Sequence, residues 1–224
     1  MTPFAQRIIS VTQGTPEWKA ARAGKVTATR TKDVIAKGKG NAESASRADL
    51  RMTLVCETLT GEPEEEGFVS KEMLRGTEME PFARAAYEAS EGVMVDQVGM
   101  VLHPNDPRCA ASPDGLVNWD GTNAPEGLIE IKAPKTKTHI GYIEAGVVPS
   151  EYQPQMLWQM ACTGAQWVDF VSYDPRLPEA LQLFIIRFHR DEARIQEMER
   201  EVSRFLDEVD ATANRLKQIA DEAA

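Results

Sequence analysis

The patterning of this sequence changes character at Gly92. Upstream, stretches at 43–60 and 70–90 carry apolar residues at helical spacing. Shorter helices are expected at 16–23, with Pro16 in the first turn, and at 27–36, capped by Thr27 or Thr29. Downstream come short β-rich runs broken by turn residues: VMVDQVGMVLH (93–103), CAASPDGLVNW (109–119) and GLIEIKA (127–133). The turn NWDGTNAPEG makes the second and third runs an antiparallel pair. A helix at 150–163 follows, then the strands WVDFVSYD (167–174) and ALQLFIIRFH (180–189). Residues 190–219 form an amphipathic helix, with Ile195, Met198, Val202, Phe205, Val209, Leu216 and Ile219 largely three or four apart. Helices, strands, helix, strands and helix in that order give an α/β fold: a mixed central sheet flanked by helices, with a long C-terminal helix.

A chain of 224 residues is long enough to bury a core without disulfides or metals, and a single domain over 1–224 is expected. The acidic run GEPEEEG at 61–67 reads as a turn, too short to separate domains. No apolar stretch reaches the length of a membrane span, and the N-terminus lacks the pattern of a secretory signal. Cys56, Cys109 and Cys162 are odd in number and far apart, which fits a reducing cytoplasm and excludes a disulfide framework or zinc knuckle. His103, His139 and His189 are equally scattered, so any metal would be bound by oxygen.

The net charge of −10 argues against nucleic acid as a partner, but its distribution does not. Residues 1–51 hold ten Lys or Arg against four Asp or Glu, and residues 52–100 hold three against eleven. The segment TRTKDVIAKGKG is therefore either an exposed loop or a phosphate-facing one, and Lys132, Lys135 and Lys137 form a second basic patch.

The chemistry concentrates at Ser112-Pro113-Asp114-Gly115 and, sixteen residues after Asp114, at Glu130-Ile131-Lys132. Glu130 and Lys132 are two apart in a strand, so they share a face of the sheet. If the hairpin pairs in register, the Asp114 and Glu130 carboxylates and the Lys132 ammonium converge. Two hard carboxylates suit Mg²⁺ or Mn²⁺, and the lysine can orient a water for attack on phosphorus. Pro-Asp-Gly is also a common turn. What favours the catalytic reading is Glu130 between apolar Ile129 and Ile131, where a carboxylate needs a partner.

These motifs resemble the phage lambda exonuclease family, the alkaline exonucleases and YqaJ-like viral recombinase nucleases with the restriction-endonuclease-like P-D-(D/E)-x-K core. The resemblance runs through EWKAARAGKVTATR, Gly76-Thr77-Glu78-Met79-Glu80, SPDG, EIKAP, Glu151-Tyr152-Gln153-Pro154-Gln155 and Tyr173-Asp174-Pro175-Arg176, in order over about residues 16–190. It implies Asp114 and Glu130 as metal ligands with the main-chain carbonyl of Ile131, Lys132 as the catalytic lysine, and Glu80 on a helix beside the metals. Arg22, Thr29, Ser112 and Gln155 match positions that hold a terminal 5′-phosphate. Tyr152 lies on the face of Gln155, and Lys135 and Lys137 offer charge where the family has a basic loop residue.

By resemblance, the chain is a 5′-to-3′ exonuclease of linear duplex DNA with Mg²⁺, two ions per site, releasing mononucleotides and leaving 3′ overhangs. A homotrimeric ring, a single-strand annealing partner and a phage or prophage origin in a bacterial host cytoplasm are implied too. In a ring only the channel lining need be positive, which reconciles an acidic chain with DNA. A helicase-associated nuclease with an iron–sulfur cluster fits poorly with three scattered cysteines. A non-catalytic DNA-end-binding adaptor is the alternative from another class, and the intact Asp114, Glu130 and Lys132 speak against it.

Overall fold

The computed structural model describes residues 2–40, 42–64 and 71–223. The expected acidic turn at 61–67 therefore lies partly outside the described residues, as does residue 70. Two sheets organise the chain. The larger has five strands in the order β3 (Val95–Asp96), β6 (Gly115–Val117), β7 (Gly127–Lys132), β8 (Trp167–Tyr173) and β9 (Leu183–His189). Its one parallel pair is β7 with β8, so the sheet is mixed, as expected. The smaller has the order β1 (Ile8–Ile9), β4 (Met100–Leu102), β5 (Cys109–Ala111) and β2 (Val26–Thr27).

Two β-rich runs that read as single strands each serve both sheets. Residues 93–103 split into β3 and β4, and the break falls at Gly99, where a Cβ would lie 2.0 Å from the Val11 carbonyl oxygen. Residues 109–119 split into β5 and β6, so Ser112-Pro113-Asp114 is the crossing from one sheet to the other. Gly115 follows because a Cβ there would meet Val95 Cγ1 at 2.1 Å.

Helix α6 (Gln153–Thr163) packs against both sheets and is buried along all of Met156–Thr163. Pro154 sits in its first turn, where no amide donor is missed. Its carboxyl end is closed by two arginines: Arg7 donates to the Leu102 and Cys162 carbonyls, and Arg190 to those of Met160 and Ala165. Cations there also complement the helix dipole. On the other face of the large sheet lies α4 (Lys71–Glu91), whose Ala83 and Tyr87 pack with Val117, Ile129 and Val171. The long α7 (Glu192–Glu222) buries Ile195, Met198, Val202, Phe205 and Val209 against α6 and α3 (Ala45–Thr60).

The expected helix at 27–36 forms only in part. Val26 and Thr27 instead form β2, parallel to β5, followed by a 3-10 turn at Ala28–Arg30 and the single-turn α2 (Thr31–Val34). Tertiary pairing overrides local helical preference: Arg30 reaches back to the buried Glu57 through two hydrogen bonds of 2.8 and 2.7 Å. Helix α5 (Thr136–Ala145) was not expected, while α1 (Pro16–Arg22) was. The three cysteines carry free thiols. Among the described residues no helix is long and apolar enough to cross a membrane.

Candidate active site

Strand β7 places the central carboxylate. Its Ile129 and Ile131 face α4, so Glu130 and Lys132 face α6 by the alternation of side chains. Register with β6 pairs Gly115 with Ile129, which brings Asp114 beside Ile131. Asp114 Oδ2 accepts from the Ile131 amide at 2.7 Å. In an extended strand a residue's N–H and C=O share one edge, so the Ile131 carbonyl is turned towards Asp114 as well.

Glu130 is 1 % exposed and fully engaged. Lys132 Nζ and Gln155 Nε2 (2.7 Å) donate to its Oε1, and Gln159 Nε2 donates to Oε2 at 2.6 Å. Lys132 Nζ also lies 5.0 Å from the ring centre of Tyr152, which stacks on Phe170. Desolvation, then the Glu130 charge and more weakly that of Glu80, hold the Asp114 carboxyl well above the usual carboxylate range. Burial pulls the Lys132 ammonium down, but Glu130 and Asp114 outweigh it and its pKa is raised.

A cleft of about 910 Å³ opens on this set. Asp114, Glu130, Ile131, Lys132, Glu80, Arg22, Thr29, Ser112, Tyr152 and Gln155 all line it, which is every expected site residue but two. Lys135 is exposed at the amino end of α5 and paired with Glu72 at 2.7 Å, and Lys137 is exposed on the same helix; neither lines the cleft. Glu80, on α4, is ion-paired with Arg84, whose Nε donates to the Asp114 carbonyl at 3.3 Å.

One end of the cleft is a polar pocket. Arg22 donates to Thr29 Oγ1 at 3.2 Å and lies 4.2 Å over the Trp18 ring. The Trp18 indole in turn donates to Ser112 Oγ at 3.0 Å. Thr29 meets Arg22 from the 3-10 turn that leads into α2.

Sequence reasoning gave no role to Trp18, Arg75, Arg84 or Gln159. Three had a signal: Trp18 and Arg22, Glu80 and Arg84, and Gln155 and Gln159 are each four apart on one helix. Arg75 had none. It holds the loop after Lys132 by donating to the Ala133 and Pro134 carbonyls, and it meets the buried Asp174 at 3.2 Å.

Two carboxylates share one ammonium here, and Asp114 is driven towards its neutral form, so the cleft is short of positive charge. Hard oxygens of this kind fit Mg²⁺. Among the described residues no group of three or more His, Cys, Asp or Glu side chains converges to hold a metal. Water and a substrate phosphate would complete the shell, as is usual for Mg²⁺.

An α/β fold with a mixed central sheet carries this cleft, and the proteins the chain resembles make it a nuclease. The chain belongs to the YqaJ-like viral recombinase domain family, which matches residues 17–166. It is similar to the alkaline exonuclease LHK-Exo from Laribacter hongkongensis, at 49% identity over 94% of this chain and 100% of that one, with a TM-score of 0.83. A structure of LHK-Exo in complex with dAMP is similar at 48% identity, with the same coverage and TM-score. A phage-related exonuclease from Haemophilus somnus 129PT shares the fold at 15% identity, covering 86% of this chain and 96% of its own, with a TM-score of 0.62. No curated protein matches the chain significantly.

Proposed function

We propose that this chain is a Mg²⁺-dependent exonuclease that degrades one strand of linear duplex DNA from a 5′ end, leaving 3′ overhangs for recombination by strand annealing. The observation that carries this reading is a single cleft with two ends. Asp114, Glu130 and Lys132 stand at one, and Arg22, Thr29 and Ser112 at the other, with Pro113 alone separating Ser112 from Asp114 in the chain. The dAMP complex of LHK-Exo, a mononucleotide with an alkaline exonuclease, supports mononucleotides as products.

Asp114, Glu130 and the Ile131 carbonyl would hold Mg²⁺ or Mn²⁺, two ions per site, which supply polarisation of the phosphoryl oxygen and an acidified attacking water. Lys132, whose ammonium both carboxylates favour, orients the attacking water and neutralises charge as it develops. Glu80 adds negative charge beside Asp114. Arg22 meets the terminal phosphomonoester, with Thr29, Ser112 and Gln155 as further donors, and so places the first scissile bond beside the carboxylates.

The partners of this reading are a duplex end with a 5′-phosphate, two further copies of the chain in a ring, and a single-strand annealing protein. Arg30 is spent on Glu57, so in the segment TRTKDVIAKGKG the exposed Lys32, Lys37 and Lys39 remain to face a DNA backbone. A ring predicts a solution mass near three times 24.8 kDa by light scattering. A monomer at working concentration would remove the ring and leave the chemistry standing. The activity itself is tested by incubating linear and covalently closed duplex DNA with Mg²⁺ or EDTA. Loss of the linear form alone, and only with Mg²⁺, is expected, and cutting of closed circles would contradict it.

A further inference from the structure

Glu130 is served by two amides of very different standing. Gln155 lines the cleft and shares Oε1 with Lys132. Gln159, one helical turn deeper on α6, is 0 % exposed, does not line the cleft, and alone holds Oε2. Its own Oε1 has no hydrogen-bond partner among the described residues. A buried amide that leaves its acceptor unmatched costs stability, and packing alone would be better met by Leu or Met. The donor contact with Glu130 is what this side chain has in return. The reversed amide would set an oxygen against a carboxylate, so only one orientation is permitted.

We propose that Gln159 is a positioning residue for metal binding: by fixing Oε2 of Glu130 from the buried side, it leaves Oε1 as the oxygen presented to the cleft. The inference rests on Glu130 being a ligand. Without Gln159, Oε2 loses its partner and the carboxylate is held at Oε1 alone, by Lys132 and Gln155 from the cleft side, where a metal must compete with them. Hydrogen bonds of this outer kind typically govern metal affinity by 10–100-fold.

The test is calorimetric titration of the full-length protein with Mn²⁺ in the absence of DNA, for the parent, Gln159→Met, Gln159→Leu and Glu130→Ala. Methionine and leucine keep the apolar volume and remove the donor. Both are expected to weaken Mn²⁺ binding about tenfold or more, with a lower melting temperature from the unpaired Oε2 of Glu130 and with metal-free binding to duplex ends near the parent's. A merely structural role would lower the melting temperature and leave the Mn²⁺ constant within twofold, and that result overturns the proposal. Failure of both variants to fold overturns it as well, since Gln159 would then serve the core. If the parent binds no Mn²⁺ that Glu130→Ala abolishes, the metal-site reading itself falls. If it does, and Gln159→Met binds equally well, only the role of Gln159 falls.

Discussion

Gln155 Nε2 lies 2.7 Å from Glu130 Oε1, so an amide expected in the phosphate pocket is at the same time a partner of the central carboxylate. On the proposed reading, phosphate recognition and the hydrolytic centre share a side chain. In this arrangement, holding the substrate's end and orienting it for attack are the work of neighbouring groups, and a variant at one end of the cleft should be felt as discrimination between substrates.

Arg22 gives that expectation a direct form. A terminal phosphomonoester carries close to one more negative charge than an internal phosphate, and a charge-assisted guanidinium contact is worth roughly 1.5–3 kcal/mol. Removing the 5′-phosphate from linear duplex should slow degradation about tenfold or more. Arg22→Ala should slow the phosphorylated substrate to a similar rate, so that both are degraded alike. Equal slowing of both substrates would make Arg22 a general backbone contact.

At the hydrolytic end, Asp114→Ala and Glu130→Ala should abolish cleavage, a loss of roughly a thousandfold or more, while DNA-end binding persists. Lys132→Ala should lose cleavage yet still bind Mn²⁺. Ca²⁺ should support binding to DNA ends without turnover, because its larger, looser shell misplaces the attacking water. Parallel gel-shift and digestion assays check all four, and near-parental digestion by any of the three variants would sink the assignment.

The raised pKa of Asp114 sets a pH dependence of definite sign. The unfolded chain ionises this carboxyl near pH 4, whereas the metal-free fold holds its proton to higher pH. Stability is therefore lost as pH rises from the unfolded value through the folded one. Asn cannot ionise, so Asp114→Asn should melt higher than the parent at pH 8 in EDTA, by about 2 °C or more, equivalent to roughly 1 kcal/mol for a chain of this size. Mn²⁺ must displace the same proton, so its affinity for the parent should climb with pH. A lower melting temperature for Asp114→Asn would show that the carboxyl stabilises the fold.

The residues that face the cleft were largely legible because the sequence states them locally. Glu130 and Lys132 alternate within one strand, and the turn after β6 fixes how Asp114 meets them. What was not legible depends on partners distant in sequence. Residues 27–36 carry helical signals, yet Thr27 pairs with β5 as part of β2, and the helical stretch that follows is only a 3-10 turn and the single-turn α2, with Arg30 reaching to Glu57. The division of 93–103 and 109–119 between two sheets follows from close contacts at Gly99 and Gly115 that no local pattern encodes. Lys135 looked like a site residue from its place after Lys132, but its ammonium is paired with Glu72 at the rim.

The central claim is directional, and one digestion decides it. Linear duplex bearing a radiolabel on either the 5′ or the 3′ ends, all 5′ ends phosphorylated, is incubated with the protein and Mg²⁺ and resolved on a denaturing gel. The account predicts that 5′ label appears at once as mononucleotide, while 3′ label stays on strands that shorten progressively, and that EDTA stops both. Early release of 3′ label as mononucleotide, or loss of both labels at equal rates, would contradict it.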